Sequence, residues 1–208
     1  MINRRVFVVS PFWMLSGLQP VLASKDTGEF KLDPRYMPQS VVFPYDHPAG
    51  TIVIDPTMRF LYLVESPGTA RRYGIGVGRV GLSFIGSAEV GRKAEWPRWR
   101  PTDNMMRYFP RKYAKYANGM PGGPGNPLGS RALYLYRNGV DTLYRIHGTT
   151  EPSAIGMAVS NGCFRMVNEH VEDLYDRVPI GTRVVVADTP MKFAVPTARL
   201  PSTSAVTE

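Results

Sequence analysis

Short segments with the composition of β-strands, separated by turn signals, constrain the fold of this chain more than any other feature. Six of them are rich in β-branched, aromatic or aliphatic residues and are bounded by turn-forming residues. The predicted strands are residues 51–55, 59–65, 71–77, 131–137, 142–146 and 182–186. Asn138-Gly139, between the fourth and fifth, is a strong signal for a tight hairpin.

One segment has the pattern of an amphipathic helix. In residues 168–178, Val171, Leu174, Tyr175 and Val178 recur at the spacing of one helical face, and Asn168 can cap the first turn. Many short strands with a single good helix indicate a mostly β domain. We therefore predict a β-sandwich or barrel-like fold with one main helix.

The first 23 residues have the three parts of a secretory signal peptide. Asn3-Arg4-Arg5 is a basic start, residues 6–15 are mostly apolar, and Val21-Leu22-Ala23 is a cleavage pattern. The apolar run is shorter than the about 20 residues that a membrane-spanning helix needs, so no stable membrane span is expected. We expect export to the periplasm or cell envelope, by the Sec route or, because of the paired arginines, the twin-arginine route.

The rest of the chain has the length of one domain with an extension at each end. Residues 24–48 are polar and proline-rich and predict an extended lead-in, whereas residues 189–208, rich in Pro, Thr and Ser, predict a disordered tail. The formal net charge is +8. This charge favours acidic partners such as nucleic acid, anionic lipid or a carboxylate-bearing polymer, and export argues against nucleic acid.

Residues 92–130 differ from the rest of the chain. Between 92 and 115, eight Lys and Arg residues are interleaved with aromatic residues and opposed only by Glu95 and Asp103; a Pro/Gly-rich run follows at 120–129. A long irregular insertion in a compact domain is often a lid or binding loop, and a solvated basic face is the alternative. We predict an irregular lid, with Trp96, Arg107 and Tyr108 as candidate substrate-binding residues.

Residues 76–81 read G-x-G-x-x-G, a pattern known from nucleotide-binding turns. No helical pattern follows them, and no βαβ unit frames them. Glycines at the end of a strand and in a turn are therefore the better interpretation.

The only cysteine of the chain, Cys163, lies in Ser160-Asn161-Gly162-Cys163-Phe164-Arg165-Met166, sixteen residues after His147. Exported proteins usually pair their cysteines, so an unpaired thiol needs a reason. A thiol attacks a carbonyl as the thiolate, and a neighbouring His can take its proton. An inert buried cysteine is the alternative. A Cys–His metal site lacks a third ligand at a suitable spacing.

Residues around Cys163 have candidate roles in such a reaction. Gly162 permits a turn in which the backbone N–H groups of Asn161-Gly162-Cys163 can bind the oxyanion of a tetrahedral intermediate. Arg165 lies on the same side of an extended segment as Cys163 and can hold a substrate carboxylate, with a structural ion pair as the alternative. Ser160 is a further candidate for substrate binding, whereas His47 and His170 fit no motif.

His147-Gly148, the motif at 160–166, the helix after it and Gly181-Thr182-Arg183-Val184 resemble the catalytic signature of the L,D-transpeptidases, the YkuD-like domain. On this likeness, residues 49–188 are identified as an L,D-transpeptidase catalytic domain with the lid at 92–130. Asn161 stands where many members have His, which leaves the acid–base work to His147. Phe164 stands where Ile or Val is common, a change of packing.

The resemblance implies a reaction. Cys163 would attack the carbonyl of diaminopimelate, the third residue of a peptidoglycan tetrapeptide stem, and form a thioester as the terminal D-alanine leaves. An amine of another stem, or of a protein lysine, would then resolve the thioester. The backbone carbonyl of Gly148 would orient His147. No metal or organic cofactor is implied, and carbapenem β-lactams are expected to acylate Cys163.

Two other functions remain open at the level of the sequence. If water resolves the thioester, the protein is a hydrolase: an L,D-carboxypeptidase, or an amidase that releases wall-bound protein. The third function is a catalytically silent peptidoglycan-binding module, against which an intact His147 and Cys163 argue.

Overall fold

The computed structural model describes residues 30–79, 82 and 84–193. The predicted signal peptide and most of the predicted tail lie outside these residues. Within the described residues the chain forms the strands β1 Gln39–Val42, β2 Ile52–Asp55, β3 Phe60–Ser66, β4 Thr69–Gly74, β5 Val77–Gly78, β6 Gly86–Glu95, β7 Arg131–Arg137, β8 Val140–His147, β9 Ala158–Ser160, β10 Phe164–Arg165 and β11 Arg183–Val186. The α-helices are α1 Asp103–Tyr108, α2 Pro110–Tyr113 and α3 Asn168–Arg177, and single 3-10 turns cover Pro34–Tyr36, Ala114–Tyr116 and Pro152–Ala154.

The strands form one large sheet and one small one. The large sheet has the order β1-β4-β3-β2-β11-β6-β7-β8-β10, and β5 pairs with β9 in the second. The β8/β10, β2/β11 and β5/β9 pairs are parallel, and the other pairs are antiparallel. The prediction of a mostly β domain is confirmed. The turn Asn138-Gly139 has φ values of 53° and 75°, as a tight hairpin of this type requires.

The middle of the sheet is buried on both faces. Ile54 of β2 packs in one apolar cluster with Leu174 of α3. Its neighbour Val53 packs in a second cluster with Phe43 and Tyr62. Because side chains alternate between the two faces of a strand, this double cover explains why β2 consists of four buried residues.

Helix α3 has the predicted extent but a different start. Its N-terminal cap is Val167, and Asn168 is the first helical residue. The prediction that Asn168 caps the helix is wrong, because its side-chain oxygen accepts a hydrogen bond from the Ser130 backbone N–H at 3.1 Å instead. The helix packs against β7 and β8, and β8 carries His147. The bond between Asn168 and Ser130 therefore joins the end of the 92–130 segment to the helix that packs on this strand.

The segment 92–130 is less irregular than predicted. Its first residues belong to β6, which lies between β11 and β7 in the sheet. Arg92 and Lys93 obscured this strand in the sequence. Their side chains lie over aromatic rings, Arg92 at 3.5 Å from the Tyr134 centroid and Lys93 at 4.0 Å from that of Tyr175. A long cationic side chain can thus cover an apolar surface that an aliphatic residue would otherwise cover.

Both extensions of the domain contribute to the packing. β1, in the predicted lead-in, pairs with β4. The first residues of the predicted disordered tail are ordered: the Met191 N–H donates to the Asp55 carboxylate at 2.7 Å, and the Phe193 ring lies 5.2 Å from that of Tyr62. An aromatic side chain that covers the second cluster holds this segment in place. None of the described helices is long and apolar enough to cross a membrane.

Candidate active site

The parallel pairing of β8 with β10 brings the two predicted catalytic residues together. Phe164 pairs with Ile146 and Arg165 pairs with His147. Phe164 and Ile146 are fully buried in the core, so the alternating residues Cys163 and His147 are turned to the opposite face. The register therefore places the thiol and the imidazole on one face of adjacent chain segments.

His147 is buried, and its tautomer follows from its hydrogen bond. Its Nδ1 lies 2.6 Å from the Gly148 backbone oxygen. A carbonyl can only accept, so Nδ1 carries the proton and Nε2 has a free lone pair. Desolvation lowers the pKa of His147 from 6.5 to about 4, opposed by the Gly148 carbonyl and reinforced by the charges of Arg165 and Arg145. At neutral pH the imidazole is a neutral base.

Close packing of the backbone leaves no room for a side chain at Gly148. A Cβ there would lie 2.2 Å from the Asn168 side-chain oxygen, and a Cβ at Gly129 would meet the same atom at the same distance. Gly129 also has a φ of 64°. Asn168 and Gly129 thus fix the chain on either side of the imidazole. The sequence signal for both was weak: a polar first residue in a helix, and a glycine in a Pro/Gly-rich run.

The turn before Cys163 is held by Ser160. The Ser160 hydroxyl accepts from the Gly162 N–H at 3.1 Å and donates to the Cys163 carbonyl at 2.7 Å. Ser160 is buried and its hydroxyl shapes the turn, whereas its contact with substrate stays a prediction. The Gly162 N–H, a predicted oxyanion donor, is engaged by this hydroxyl in the resting structure. Among the described residues, no hydrogen bond engages the backbone N–H of Asn161 or of Cys163, which leaves these two as candidate oxyanion donors.

Gly162 is required by both backbone angle and space. Its φ is 125°. A Cβ would lie 2.8 Å from the Leu82 backbone oxygen and 2.8 Å from the Tyr144 ring. Since L-residues avoid this conformation, glycine alone forms the turn without strain.

Gly76 and Gly78, the described glycines of the 76–81 pattern, lie against the segment that carries Cys163. Gly76 exchanges two backbone hydrogen bonds with Arg165, at 2.8 and 2.9 Å. A Cβ at Gly78 would lie 2.8 Å from the Gly162 Cα. The next described element is β6, a strand, and not the helix of a nucleotide-binding turn. Close approach of residues 76–78 to the chain around Cys163 therefore accounts for Gly76 and Gly78.

Cys163 is half-buried, and its Sγ lies 3.8 Å from the Leu143 backbone oxygen. Desolvation raises the pKa of the thiol, partly offset by the backbone N–H of Arg145 and by the charges of Arg145 and Arg165. None of the hydrogen bonds between described residues joins Sγ to the His147 ring. The resting pair is therefore a neutral thiol beside a neutral imidazole.

Comparison with known proteins assigns this arrangement to a family. Residues 49–186 match the model of the L,D-transpeptidase catalytic domain, YkuD, which is more than half of the chain. The chain belongs to the L,D-transpeptidase (YkuD) family.

Curated relatives support the assignment. The chain is 36% identical over 159 residues to the probable L,D-transpeptidase ErfK/SrfK of Escherichia coli (strain K12), which covers 76% of this chain and 50% of that protein. It is 35% identical over 158 residues to the probable L,D-transpeptidase YbiS of the same strain, with 75% and 50% covered. The chain thus spans about half the length of the curated relatives it matches.

Two solved structures share the fold. A protein from Brucella melitensis, described as a probable carnitine operon oxidoreductase, is 60% identical, with a TM-score of 0.53 over 75% of this chain and 96% of that one. The Ldtfm–avibactam carbamoyl enzyme is 17% identical, with a TM-score of 0.51 over 69% of this chain and 50% of that one. The likeness to the second is one of fold.

In this L,D-transpeptidase domain the polar residues beside Cys163 are partly engaged. Arg165 Nη1 lies 2.9 Å from the Glu151 carboxylate, and the Glu151 side chain is 68% exposed. The Asn161 side-chain oxygen accepts from Arg79 at 2.6 Å. An ion pair with so exposed a partner is weak, because water competes for the charges. The Arg165 guanidinium is therefore held by a weakly bound, exposed partner.

The predicted substrate-binding residues of the insertion occupy two places. Trp96 is at its base, where its backbone N–H donates to the Ser130 carbonyl at 2.7 Å. Arg107 and Tyr108 are exposed on α1, and no residue of α1 or α2 is buried. The end of the insertion reaches the imidazole. There, a hydrogen bond of the Leu128 backbone raises the pKa of His147. Leu128 was not predicted from the sequence.

Proposed function

We propose that this protein is a cysteine-dependent L,D-transpeptidase that acts on peptidoglycan stem peptides in the cell envelope. The observation that carries the proposal is the neutral His147, whose Nδ1–H is bound by the Gly148 carbonyl at 2.6 Å on the face shared with Cys163. This arrangement leaves Nε2 as the base for a thiol. Export is part of the proposal and depends on the first 23 residues.

In the proposed acylation, Cys163 Sγ bonds to the carbonyl carbon of the third stem residue while its proton passes to His147 Nε2. Proton transfer accompanies bond formation, because both groups are neutral at rest. The oxyanion is bound by the Cys163 N–H. His147 then protonates the departing nitrogen, and D-alanine leaves as the C–N bond breaks. An acceptor amine attacks the thioester, gives its proton to His147 and releases the thiol.

The charges around the site suit this donor. Stem peptides carry carboxylates, and the Arg165 guanidinium, held by the exposed Glu151, is available to exchange partners. The acceptor amine belongs to the diaminopimelate of another stem or to a protein lysine. The end of the insertion, which reaches the imidazole through the Leu128 backbone, is the segment that we expect to influence which amine enters.

Incubation with purified disaccharide-tetrapeptide, followed by mass spectrometry, tests this function. We expect crosslinked dimers together with free D-alanine, and neither with Cys163→Ala. Tripeptides without dimers would replace transfer by hydrolysis, the carboxypeptidase alternative. A substrate left unchanged by the folded protein would contradict both and favour a silent wall-binding module.

We further propose that the helical part of the insertion is a lid on the substrate side. The triple variant Arg107→Gln/Arg111→Gln/Lys112→Gln should raise the KM for the stem peptide with little change in the melting temperature. These side chains are exposed, and exposed charges contribute little to stability. Steady-state kinetics and thermal unfolding measure the two effects.

The matched control removes the same charge elsewhere. Lys31→Gln/Arg183→Gln/Lys192→Gln changes three exposed cations outside the insertion and should leave KM near the wild-type value. Equal KM increases in both triple variants would assign the effect to net charge rather than to a lid.

A further inference from the structure

Strand β8 is distorted directly beside the nucleophile. Its pairing with β7 shifts register between Tyr134 and Tyr136. Within this bulge Leu143 has a φ of 65° and an exposed side chain. Leucine rarely adopts a positive φ, and such a conformation persists only where the surroundings hold it.

Side chains on both sides hold the bulge in place. The Asp141 carboxylate accepts from the Leu143 N–H at 2.8 Å. The Thr142 hydroxyl donates to the Leu135 carbonyl at 2.6 Å and accepts from the Tyr144 N–H at 3.2 Å. The bulge is therefore a built turn and not a loose end of the strand.

Asp141 is itself fixed by a bidentate ion pair. Its two carboxylate oxygens lie 2.7 and 2.9 Å from the Arg145 guanidinium. Arg145 in turn lies over the ring of the buried Tyr134, 4.3 Å from its centroid. This chain of contacts connects the core of the sheet to the conformation of Leu143.

The consequence of this conformation is the direction of one carbonyl. The Leu143 oxygen faces Cys163 Sγ at 3.8 Å. A carbonyl oxygen accepts a hydrogen bond from a thiol but repels a thiolate, so this contact favours the protonated side chain. Burial and the Asp141 charge act in the same direction, whereas the backbone N–H of Arg145 and the charges of Arg145 and Arg165 favour the thiolate.

We propose that the Asp141–Leu143 bulge is a resting site for the nucleophile, in which the Leu143 carbonyl holds the Cys163 thiol protonated and out of hydrogen-bond contact with His147. Turnover then requires rotation of the Cys163 side chain toward His147 once an acyl donor occupies the site. Asp141 is a positioning residue that acts through Leu143. The resting thiol is thereby protected from small electrophiles and oxidants.

The inference concerns the nucleophile of the proposed function, but it can be tested without any substrate. Cys163 is the only cysteine, so the rate of alkylation by iodoacetamide as a function of pH measures this thiol alone. Leu143→Ile should disrupt the bulge, because a β-branched residue resists positive φ. Leu143→Gly also loses the leucine side chain, but glycine adopts a positive φ without strain, so the bulge is kept.

We expect Leu143→Ile to shift the midpoint of the alkylation profile to lower pH. Loss of one hydrogen bond to the neutral thiol corresponds to a rate about three- to tenfold higher at neutral pH. Leu143→Gly should keep the wild-type profile. Unchanged alkylation in a folded Leu143→Ile, or an equal shift in Leu143→Gly, would overturn the proposal.

A second pair covers the case in which Leu143→Ile does not fold. Asp141→Ala and Asp141→Asn both remove the carboxylate charge beside Arg145, and only asparagine keeps an oxygen that can accept the Leu143 N–H. We expect the larger shift in Asp141→Ala, and equal profiles would reject the bulge as the cause. Because alkylation needs no acyl donor, its outcome is separate from whether stem peptides are crosslinked.

Discussion

Replacing His147 with alanine should lower the rate of stem-peptide crosslinking by at least about 10²–10⁴-fold, the usual contribution of general acid–base catalysis. The variant loses the Nε2 base that accepts the thiol proton and the acid that protonates the departing amine. The pKa of the thiol is raised by desolvation, and the carboxylate that acts on it, Asp141, is engaged by Arg145. Single-turnover acylation, followed by intact mass, measures the loss directly.

The other two histidines are the controls for this prediction. His47 lies against the Phe43 ring at 6.2 Å, and His170 is buried in α3. His47→Ala and His170→Ala should retain rates near wild type, although His170→Ala removes a buried side chain and lowers stability. Asn161→His should change the rate only modestly. Turnover that survived loss of His147 and ended with loss of His170 or His47 would refute the site.

The pH dependence provides a separate signature of His147. Its pKa of about 4 means that kcat/KM should stay high through mildly acidic pH and fall only near that value. The free energy of unfolding also depends on the protonation of His147. The pKa of His147 is lower in the folded protein than the unfolded value of 6.5. Its contribution to the free energy of unfolding is therefore full above pH 6.5 and is lost as pH falls toward about 4. An acid limb of activity near the ordinary histidine pKa would contradict the buried neutral imidazole.

Incubation with a carbapenem should add one acyl group to the protein, and Cys163→Ala should abolish both this adduct and crosslinking. Sγ would bond to the β-lactam carbonyl carbon, the ring C–N bond would break, and the proton would pass through His147 to the ring nitrogen. The strained amide takes the place of the donor carbonyl. Intact-mass measurement counts the adducts.

Cys163→Ser is the stricter control because it keeps a nucleophilic atom of similar placement. An imidazole with a pKa of about 4 is too weak a base for an alcohol, so we expect no adduct in this variant either. An adduct that persisted in Cys163→Ala would show that a different residue, and not a thiol, is the nucleophile, because the chain has no second cysteine.

Local patterns in the sequence predicted most elements of the fold. The six predicted strands correspond to β2, β3, β4, β7, β8 and β11, and the predicted helix to α3. Alternation of apolar residues and turn residues such as Asn138-Gly139 are properties of a few neighbouring residues, so they can be recognised without a partner strand. Strand β6 was missed because its Lys and Arg side chains are covered by rings that come from β7 and α3.

The juxtaposition of the candidate catalytic pair was also predictable, because Cys163 and His147 lie in short motifs whose glycines are required locally. The sequence by itself therefore determined the mostly β class and the family, and it predicted Cys163 and His147 as nucleophile and base. Only the tertiary structure decided how they are held. The parallel register of β8 with β10 sets their common face. Asn168 fills the space that forces a glycine at 148, and Leu143 turns a carbonyl toward the thiol. These contacts join residues from separate elements, and their distances depend on packing that no local pattern records.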